Sequence, residues 1–411
     1  MIEKFKNDGY EITSFDNIAD IYIVNTCTVT NISDRKSRQM LRQAKKNNPN
    51  SIVVACGCYV QVAKEEVEKI EEIDLCVGTN EKIYIVEIVQ NYIRNHNKLE
   101  KIENVLSPNT EYGDFGCVTY TEKTRAVIKV QDGCDRFCSY CIIPYARGKV
   151  RSRKPESVLK EIEEIAKNGI KEVVITGIHV ASYGKDFNNE FRLIDLLENI
   201  NKIDGIERIR LGSIEPLLIT DEFVNRLSKL EKICHHFHLS LQSGCDETLK
   251  RMNRRYSILQ FEEIVNKLRN IYNDAILTTD IIVGFPGETD EEFSKTFEFL
   301  RRIKFFKMHI FKFSSRHGTK AEKMENQVLA KIKELRSKKL IELSNFNETE
   351  YLEKYIGKDV QVLFEEKEGD YFKGHTSNYI LVKTKTNDDL SNMIKMTHLE
   401  KIEEFSLIGN L

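Results

Sequence analysis

The sequence has 411 residues, too long for a single hydrophobic core of ordinary size, so roughly two or three domains are expected. Hydrophobic residues make up 41% of the chain and charged residues 31%, and the formal net charge is -2, a balance that disordered chains do not have. No apolar run approaches the length of a membrane span, and the N-terminal segment lacks a signal-peptide core. We therefore expect a cytoplasmic protein without a membrane partner.

The first 91 residues alternate short apolar runs with charged, helix-like segments. The apolar runs are typical of strands, and they read IYIV, SIVVA and DLCVG. Because strands that alternate with helices favour a parallel sheet, an α/β domain is predicted for residues 1–91. Residues 92–120 are polar and weakly periodic, and we interpret them as a linker.

A second alternating series begins at Ala126. Its apolar runs are RAVIKV, EVVITG, RIRLGS, HFHLSL, AILTTDIIVGF and FFKMHIF, and helix-like segments separate them. This series predicts a partial (β/α)6 barrel over residues 121–345, with its chemistry at the carboxyl ends of the strands.

The remaining residues, 350–411, follow a charged helix and alternate apolar with polar residues between turn signals. This pattern predicts a small C-terminal β-barrel. The predicted fold class is therefore α/β, with a parallel N-terminal domain, a partial barrel and a small β-barrel.

The chain has ten cysteines. A disulfide framework suits short secreted chains, so reduced thiols, metal ligands or catalytic cysteines are favoured. Cys134, Cys138 and Cys141 have the spacing C-x3-C-x2-C just beyond a predicted strand. Three thiolates leave one iron of a 4Fe-4S cluster open for a substrate, whereas ferredoxins normally supply four. Structural zinc is the alternative, but it needs a fourth ligand, and no suitable cysteine pair follows closely.

The string GCDRFCSYCIIPYARG resembles the radical S-adenosylmethionine superfamily, and its extension CSYCIIPYARGKVRSR resembles the methylthiotransferases within it. The same family resemblance appears in NTCTVTN, GCY, HHFHLSLQSGCDETLKRMNRRY and DIIVGFPGET, so it covers nearly the whole chain. It implies S-adenosylmethionine and two 4Fe-4S clusters, an auxiliary one in the N-terminal domain and a radical one in the barrel. It also implies that the C-terminal barrel is an RNA-binding TRAM domain.

The resemblance implies particular cluster ligands. They are Cys134, Cys138 and Cys141 for the radical cluster, and Cys27 and Cys58 for the auxiliary cluster. The first auxiliary ligand of relatives has no counterpart in this sequence, so either the true start lies upstream or the protein is naturally shortened. Cys56 could replace that ligand, because residues two apart on a strand share a face, although the family pattern has no ligand there.

Other contacts to S-adenosylmethionine are expected from strand ends and from the cysteine loop. Together with the resemblance, this expectation selects Tyr140, Thr176, Gly177, Gln242 and Gly284.

Contacts to RNA are expected from two groups of residues. Arg147 and Arg151 lie a short way beyond the cysteines. Lys373, His375 and Tyr379 resemble the cationic and aromatic sheet face that TRAM domains use for single-stranded RNA.

The activity implied by the resemblance is that of a tRNA methylthiotransferase, which replaces the C2 hydrogen of N6-threonylcarbamoyladenosine beside the anticodon with a methylthio group. The implied partners are the tRNA anticodon stem-loop and an electron donor such as flavodoxin or ferredoxin, and no DNA. Two alternatives are the branches that act on isopentenyladenosine in tRNA and on an aspartate of a ribosomal protein. An alternative of another class is an inactive RNA-binding relative.

Overall fold

The computed structural model describes residues 1–95, 100–106, 111–117 and 124–411. These residues divide into two compact units. The first unit consists of the described residues within Met1–Val118, Asp132–Arg151 and Ser314–Lys323. The second consists of those within Thr119–Gln131, Ser152–Phe313 and Met324–Leu411.

The first unit is built around a parallel sheet. Its strands are β1 Ile21–Thr26, β2 Ile52–Gly57, β3 Leu75–Val77 and β4 Glu100–Lys101. Its first helices are α1 Ile2–Asn7, α2 Asn31–Asn47, α3 Cys58–Val62, α4 Lys64–Val67 and α5 Ile85–Asn95. The strands lie in the order β1-β2-β3-β4 and all pair in parallel, which confirms the predicted α/β arrangement.

The predicted linker of residues 92–120 is corrected at its beginning. Helix α5 continues to Asn95, because its buried residues Ile85, Ile88 and Val89 form one apolar face that packs in the core. Strand β4 then pairs with β3 and extends the sheet. Residues 96–99, 107–110 and 118–120 of the predicted linker lie outside the described residues.

The next part of the chain contains the barrel strands and their helices. The strands are β5 Arg125–Asp132, β6 Arg151–Ser152, β7 Glu172–Gly177, β8 Arg208–Leu211, β9 His236–Gln242, β10 Ile276–Val283 and β11 Lys307–Lys312. The helices are α6 Ile143–Arg147, α7 Pro155–Lys167, α8 Leu193–Asn201, α9 Asp221–Leu227, α10 Asp246–Arg251, α11 Ile258–Ile271 and α12 Asp290–Ile303. Helix α6 belongs to the first compact unit.

The strands of the second unit form two sheets, in the orders β6-β5-β7-β8 and β11-β10-β9. Parallel bridges from Ile209 to Ile233 and from Ile214 to Leu239 link the end of one sheet to the start of the other. The strands β5 and β7 to β11 match the predicted apolar runs, and their pairs are parallel. The predicted partial (β/α)6 barrel is confirmed.

Alternation along these strands explains their placement. Val173 and Ile175 of β7 are buried in the core, together with Ile209 and Leu211 of β8. The intervening residues face the other side of the sheet, since successive side chains of a strand point to opposite faces. One side of these strands thus packs in the core with the helices.

The C-terminal part confirms the predicted small barrel. It consists of helix α13 Ala330–Glu353 and the strands β12 Asp359–Glu368, β13 Tyr371–Thr376, β14 Leu381–Lys385, β15 Ile394–Glu403 and β16 Ser406–Asn410. These strands close in the order β12-β13-β14-β16-β15. Of the helices described, none is both long enough and apolar enough to cross a membrane.

A buried arginine joins the small barrel to the larger one. The Arg210 guanidinium pairs with Glu172 at 2.7 Å and donates to the backbone oxygen of Ser377 at 2.9 Å. It also lies over the Tyr379 ring, 4.8 Å from the centroid. Because both members of the Arg210–Glu172 pair are buried, losing one would leave an uncompensated charge in the interior.

Candidate functional site: two groups of cysteines

The loop that carries Cys134, Cys138 and Cys141 begins where β5 ends. Gly133 has a φ of +73°, and a Cβ there would lie 1.8 Å from the backbone oxygen of Lys149, so only glycine fits without displacing the loop. The amide of Cys134 donates to the Gly148 oxygen at 3.0 Å, and the amide of Cys141 donates to the Cys138 oxygen at 2.9 Å. The backbone therefore holds the three cysteines on one short, folded loop.

The chemical state of these cysteines fits a cluster. All three thiols are half-buried, and none of the ten cysteines, all of which lie in described residues, forms a disulfide. Three partly accessible thiols on one loop are a donor set suited to iron.

The described residues contain no group of three or more His, Cys, Asp or Glu side chains arranged around a single metal ion. A 4Fe-4S cluster binds each thiolate through a different iron atom, so its ligands need not converge on one point. The cysteine loop therefore suits a cluster better than a lone tetrahedral ion.

The second group of cysteines lies at the carboxyl edge of the first sheet. Thr26 and Gly57 are paired in the β1–β2 register, and Cys27 and Cys58 follow them directly. Cys27 is exposed and Cys58 is buried. Both residues thus follow paired strand ends at one edge of the sheet, and their role as cluster ligands stays a prediction.

Cys56 has a different environment. It is fully buried in the core with Val54, Leu75 and Phe5, and burial raises the pKa of its thiol to about 11. Its sulfur lies 3.8 Å from the Asn25 side-chain oxygen. This apolar position argues against Cys56 as a substitute ligand, because burial disfavours the thiolate that binds iron.

Arg147 contacts the second cysteine group. Its Nε donates to the Cys58 sulfur at 3.1 Å, and its Nη1 lies 3.4 Å from a carboxylate oxygen of Asp132. Burial lowers the pKa of this guanidinium, but Asp132 and Cys58 outweigh burial and raise it. Arg147 therefore links helix α6, which follows the first cysteine loop, to the sulfur of Cys58.

Arg151 is also held inside the first unit. Its guanidinium donates to the Asn80 side chain at 2.5 Å and to the Arg147 backbone oxygen at 2.7 Å. Its side chain is only 6% exposed, and Asp132 lies 3.6 Å away. This pairing with Asp132 is not visible from the basic character of the two arginines, and contact of Arg147 and Arg151 with RNA stays a prediction.

The residues expected to contact S-adenosylmethionine lie at strand ends of the second unit, apart from Tyr140, which lies in the cysteine loop of the first. Thr176 and Gly177 end β7, and Gln242 ends β9 with a φ of +71°. Gly284 directly follows β10 and has a φ of +70°. The structure thus brings these four to the carboxyl ends of parallel strands, where ligands of such barrels bind.

Sequence reasoning missed Glu288, which shapes the turn at Gly284. Its Oε2 accepts hydrogen bonds from the amides of Gly284 at 2.7 Å and Phe285 at 3.2 Å. Arg336 of α13 holds the other carboxylate oxygen at 2.9 Å. Burial raises the pKa of Glu288 in spite of this arginine. The place of Glu288 within the matched string DIIVGFPGET could have identified it.

The C-terminal residues predicted to bind RNA have internal partners as well. His375 lies 2.6 Å from a Glu365 oxygen, and its ring stacks on Tyr379 at 4.7 Å between centroids. His236 stacks on the same tyrosine, also at 4.7 Å between centroids. These contacts are internal to the protein, and contact of His375 and Tyr379 with RNA stays a prediction.

Lys373 differs from its two predicted partners. Its Nζ lies 2.5 Å from Glu368, on a strand of the small barrel, and its side chain is 23% exposed. Contact of Lys373 with RNA stays a prediction.

Two family models match the chain. The Radical SAM superfamily matches residues 128–300, and an uncharacterized protein family, UPF0004, matches residues 1–78. The first match contains the loop of Cys134, Cys138 and Cys141, and the second contains Cys27 and Cys58.

Curated relatives match over nearly the whole chain. Threonylcarbamoyladenosine tRNA methylthiotransferase MtaB of Bacillus subtilis strain 168 is 39% identical, covering 95% of this chain and 87% of the relative. The protein of that name from Aquifex aeolicus strain VF5 is 40% identical, covering 96% and 94%. A tRNA-2-methylthio-N(6)-dimethylallyladenosine synthase of Clostridium tetani is 36% identical, covering 98% and 90%.

A solved structure shares the fold at low identity. The radical S-adenosylmethionine methyltransferase TsrM from Kitasatospora setae superimposes with a TM-score of 0.55 at 16% identity, covering 72% of this chain and 63% of that one. This likeness supports the barrel architecture alone. Because the relatives above are 36–40% identical over nearly their full length, the chain belongs to the radical S-adenosylmethionine methylthiotransferase family.

Proposed function

We propose that the chain is a tRNA methylthiotransferase that adds a methylthio group at C2 of N6-threonylcarbamoyladenosine beside the anticodon. The observation that carries this proposal is the identity of 38–40% to relatives named for threonylcarbamoyladenosine. Relatives named for dimethylallyladenosine are 34–36% identical. That base, called isopentenyladenosine above, is therefore the second candidate substrate. The target base would have to leave any stack to reach a buried site, which suits a nucleotide in a loop.

Cys134, Cys138 and Cys141 are the proposed ligands of the radical cluster. When bound there, a 4Fe-4S cluster with an open iron supplies the electron that cleaves S-adenosylmethionine to methionine and a 5'-deoxyadenosyl radical. Radical chemistry suits this substrate, because an aromatic C2–H is neither acidic nor electrophilic enough for ordinary acid-base catalysis. The chain's part is to present three thiolates on a loop whose shape depends on Gly133.

S-adenosylmethionine is proposed to lie against the strand ends at Thr176, Gly177, Gln242 and Gly284, with Tyr140 contributing from the cysteine loop. A glycine at a turn lets a ligand approach the backbone closely. Glu288 keeps that turn in one conformation by holding two of its amides. We assign Glu288 a positioning role, since its carboxylate holds the backbone of this turn.

An auxiliary 4Fe-4S cluster is proposed at Cys27 and Cys58, which share one sheet edge. The sequence printed here has no cysteine before Cys27. The Arg147 guanidinium, 3.1 Å from the Cys58 sulfur, would stabilise the thiolate form of this ligand by a charge-assisted hydrogen bond.

The remaining assignments follow from this reaction. The proposed partners are the anticodon stem-loop, which Lys373 would contact, and a flavodoxin or ferredoxin as electron donor. The cytoplasm, where tRNA is modified, is the proposed location. We propose residues 1–91 as the auxiliary-cluster domain, 121–345 as the radical domain and 350–411 as the TRAM-like domain. Residues 132–151 and 314–323 of the radical domain belong to the first compact unit.

A direct test compares two anticodon stem-loops that differ only in the N6 group, threonylcarbamoyl or isopentenyl. The reconstituted chain is incubated with each, with S-adenosylmethionine, sulfide and a reductant, and the nucleosides are analysed by mass spectrometry. We expect the methylthio product from the threonylcarbamoyl substrate at a rate at least about tenfold above the other, because a site that hydrogen-bonds a polar group strongly rejects an analogue lacking it. Preference for the isopentenyl substrate would assign the chain to the second branch. Release of no 5'-deoxyadenosine would favour an inactive RNA-binding relative.

A further inference from the structure

Arg316 reaches a part of the chain far from it in sequence. It lies in the segment 314–323 and is 6% exposed. Its guanidinium donates to side-chain oxygens of Thr28 at 2.5 Å, Asn31 at 2.5 Å and Asp34 at 2.6 Å. A planar guanidinium held by three acceptors is fixed in position and orientation. All of these residues belong to the first compact unit.

The residues that Arg316 holds begin directly after Cys27. Thr28 is the next residue along the chain and is fully buried, although Cys27 itself is exposed. The Asn31 amide also donates to the Ser315 backbone oxygen at 3.2 Å. The residues that follow the exposed Cys27 are thus held by the segment 314–323 in two ways, through the Arg316 side chain and through the Ser315 backbone oxygen.

The same segment contacts the other cysteine loop. The amide of Ala321 donates to the backbone oxygen of Ser139 at 2.8 Å. Ser139 lies between Cys138 and Cys141 in the sequence. One short piece of chain therefore has a hydrogen bond to each of the two cysteine-bearing loops.

We propose that Arg316 is a positioning residue that, through the segment 314–323, fixes the Cys27 loop relative to the loop of Cys138 and Cys141. This inference rests on the proposed function, in which sulfur transfer and radical formation act on one base. Both reacting groups must then be held within reach of the same carbon, and a displacement of about 1 Å can lower a rate about a hundredfold. The segment 314–323 would set that spacing.

The first test is hydrogen exchange on the anaerobically purified full chain, comparing wild type with Arg316→Met. Methionine keeps the length of the side chain and removes its donors. We expect amides of residues 28–34, and the Ala321 amide that donates to Ser139, to exchange at least about tenfold faster in the variant. The control is Arg226→Met, which removes an arginine paired with Asp195 and Glu198 in the second unit and should leave these amides unchanged. Faster exchange at 28–34 with no change at Ala321 would overturn the proposed link.

The second test separates positioning from general destabilisation. In Arg316→Met we expect 5'-deoxyadenosine release within about twofold of wild type and a fall of about a hundredfold in methylthio product per 5'-deoxyadenosine. Arg316→Lys, which keeps the charge and one donor group, should recover part of that ratio. An unchanged ratio would refute the inference. If wild type itself makes 5'-deoxyadenosine but no methylthio product, the proposed function fails, while hydrogen exchange still decides whether the two loops are linked.

Discussion

The Cys138→Ala variant is expected to stay folded and to lose the release of 5'-deoxyadenosine from S-adenosylmethionine. Cys138 is the middle ligand of the proposed radical cluster, and its thiol is only half-buried, so alanine leaves no large cavity. Removal of a partner that merely supports a metal ligand lowers activity about 10–100-fold. Loss of the ligand itself should therefore lower 5'-deoxyadenosine release by at least about a hundredfold.

After reduction, the released 5'-deoxyadenosine is measured by chromatography. The iron content per chain and the midpoint of thermal unfolding are measured on the same proteins. The matched control is Cys117→Ala, another half-buried thiol that has no assigned role. We expect the control to behave as wild type in all three measurements. Normal 5'-deoxyadenosine release by Cys138→Ala would show that the radical cluster is held elsewhere.

The Gly133→Ala variant is expected to lose most of its iron at the first cysteine loop. Alanine pays about 1–2 kcal/mol for the left-handed conformation at this position. Its Cβ would also meet the Lys149 backbone oxygen, 1.8 Å from the ideal position, and a backbone atom cannot swing away as a flexible side chain can. The loop has to move, and Cys134 is the next residue.

Gly9→Ala separates the strain from the clash. Gly9 has a φ of +88°, so alanine there has a similar free-energy cost of backbone conformation, but nothing lies within 4 Å of the added Cβ. We expect Gly9→Ala to lower the free energy of unfolding by about 1 kcal/mol and to keep its iron. Gly133→Ala should lose roughly four irons per chain, measured after anaerobic reconstitution. Full iron content in Gly133→Ala would mean that the loop can accept a side chain.

Apolar runs were enough to locate β1 to β3, β5 and β7 to β11 of the three sheets, and alternation located the C-terminal barrel. Val173 and Ile175, two residues apart in a short apolar run, both face the core. The cysteine loop was also visible from spacing, since its ligands are close together in sequence. Both signals are local, which is why the sequence shows them.

The contacts that were missed are tertiary. The partners of Arg147 are Asp132 and Cys58, and nothing in its own basic string distinguishes a carboxylate or a thiol from an RNA phosphate. Arg316 lies more than two hundred residues from the loop that it holds, so no spacing could have revealed it. Polar side chains take their roles from what the fold places beside them.

The C-terminal barrel shows the same limit in another form. Its strand pattern was predictable, but the use of its aromatic face was not. Tyr379 is an aromatic residue of the kind that stacks on RNA bases, yet its ring stacks on His236 of the larger barrel and on His375. Only the packing of the two barrels reveals these contacts.

The most direct test of the central claim is iron per chain after anaerobic reconstitution, comparing wild type with Cys27→Ala. Two clusters on the two cysteine groups predict about eight irons in wild type and about four in the variant. The Cys27→Ala variant should still release 5'-deoxyadenosine, because the loop of Cys134, Cys138 and Cys141 is untouched. About four irons in both proteins would leave only the radical cluster, and no iron in either would contradict the account as a whole.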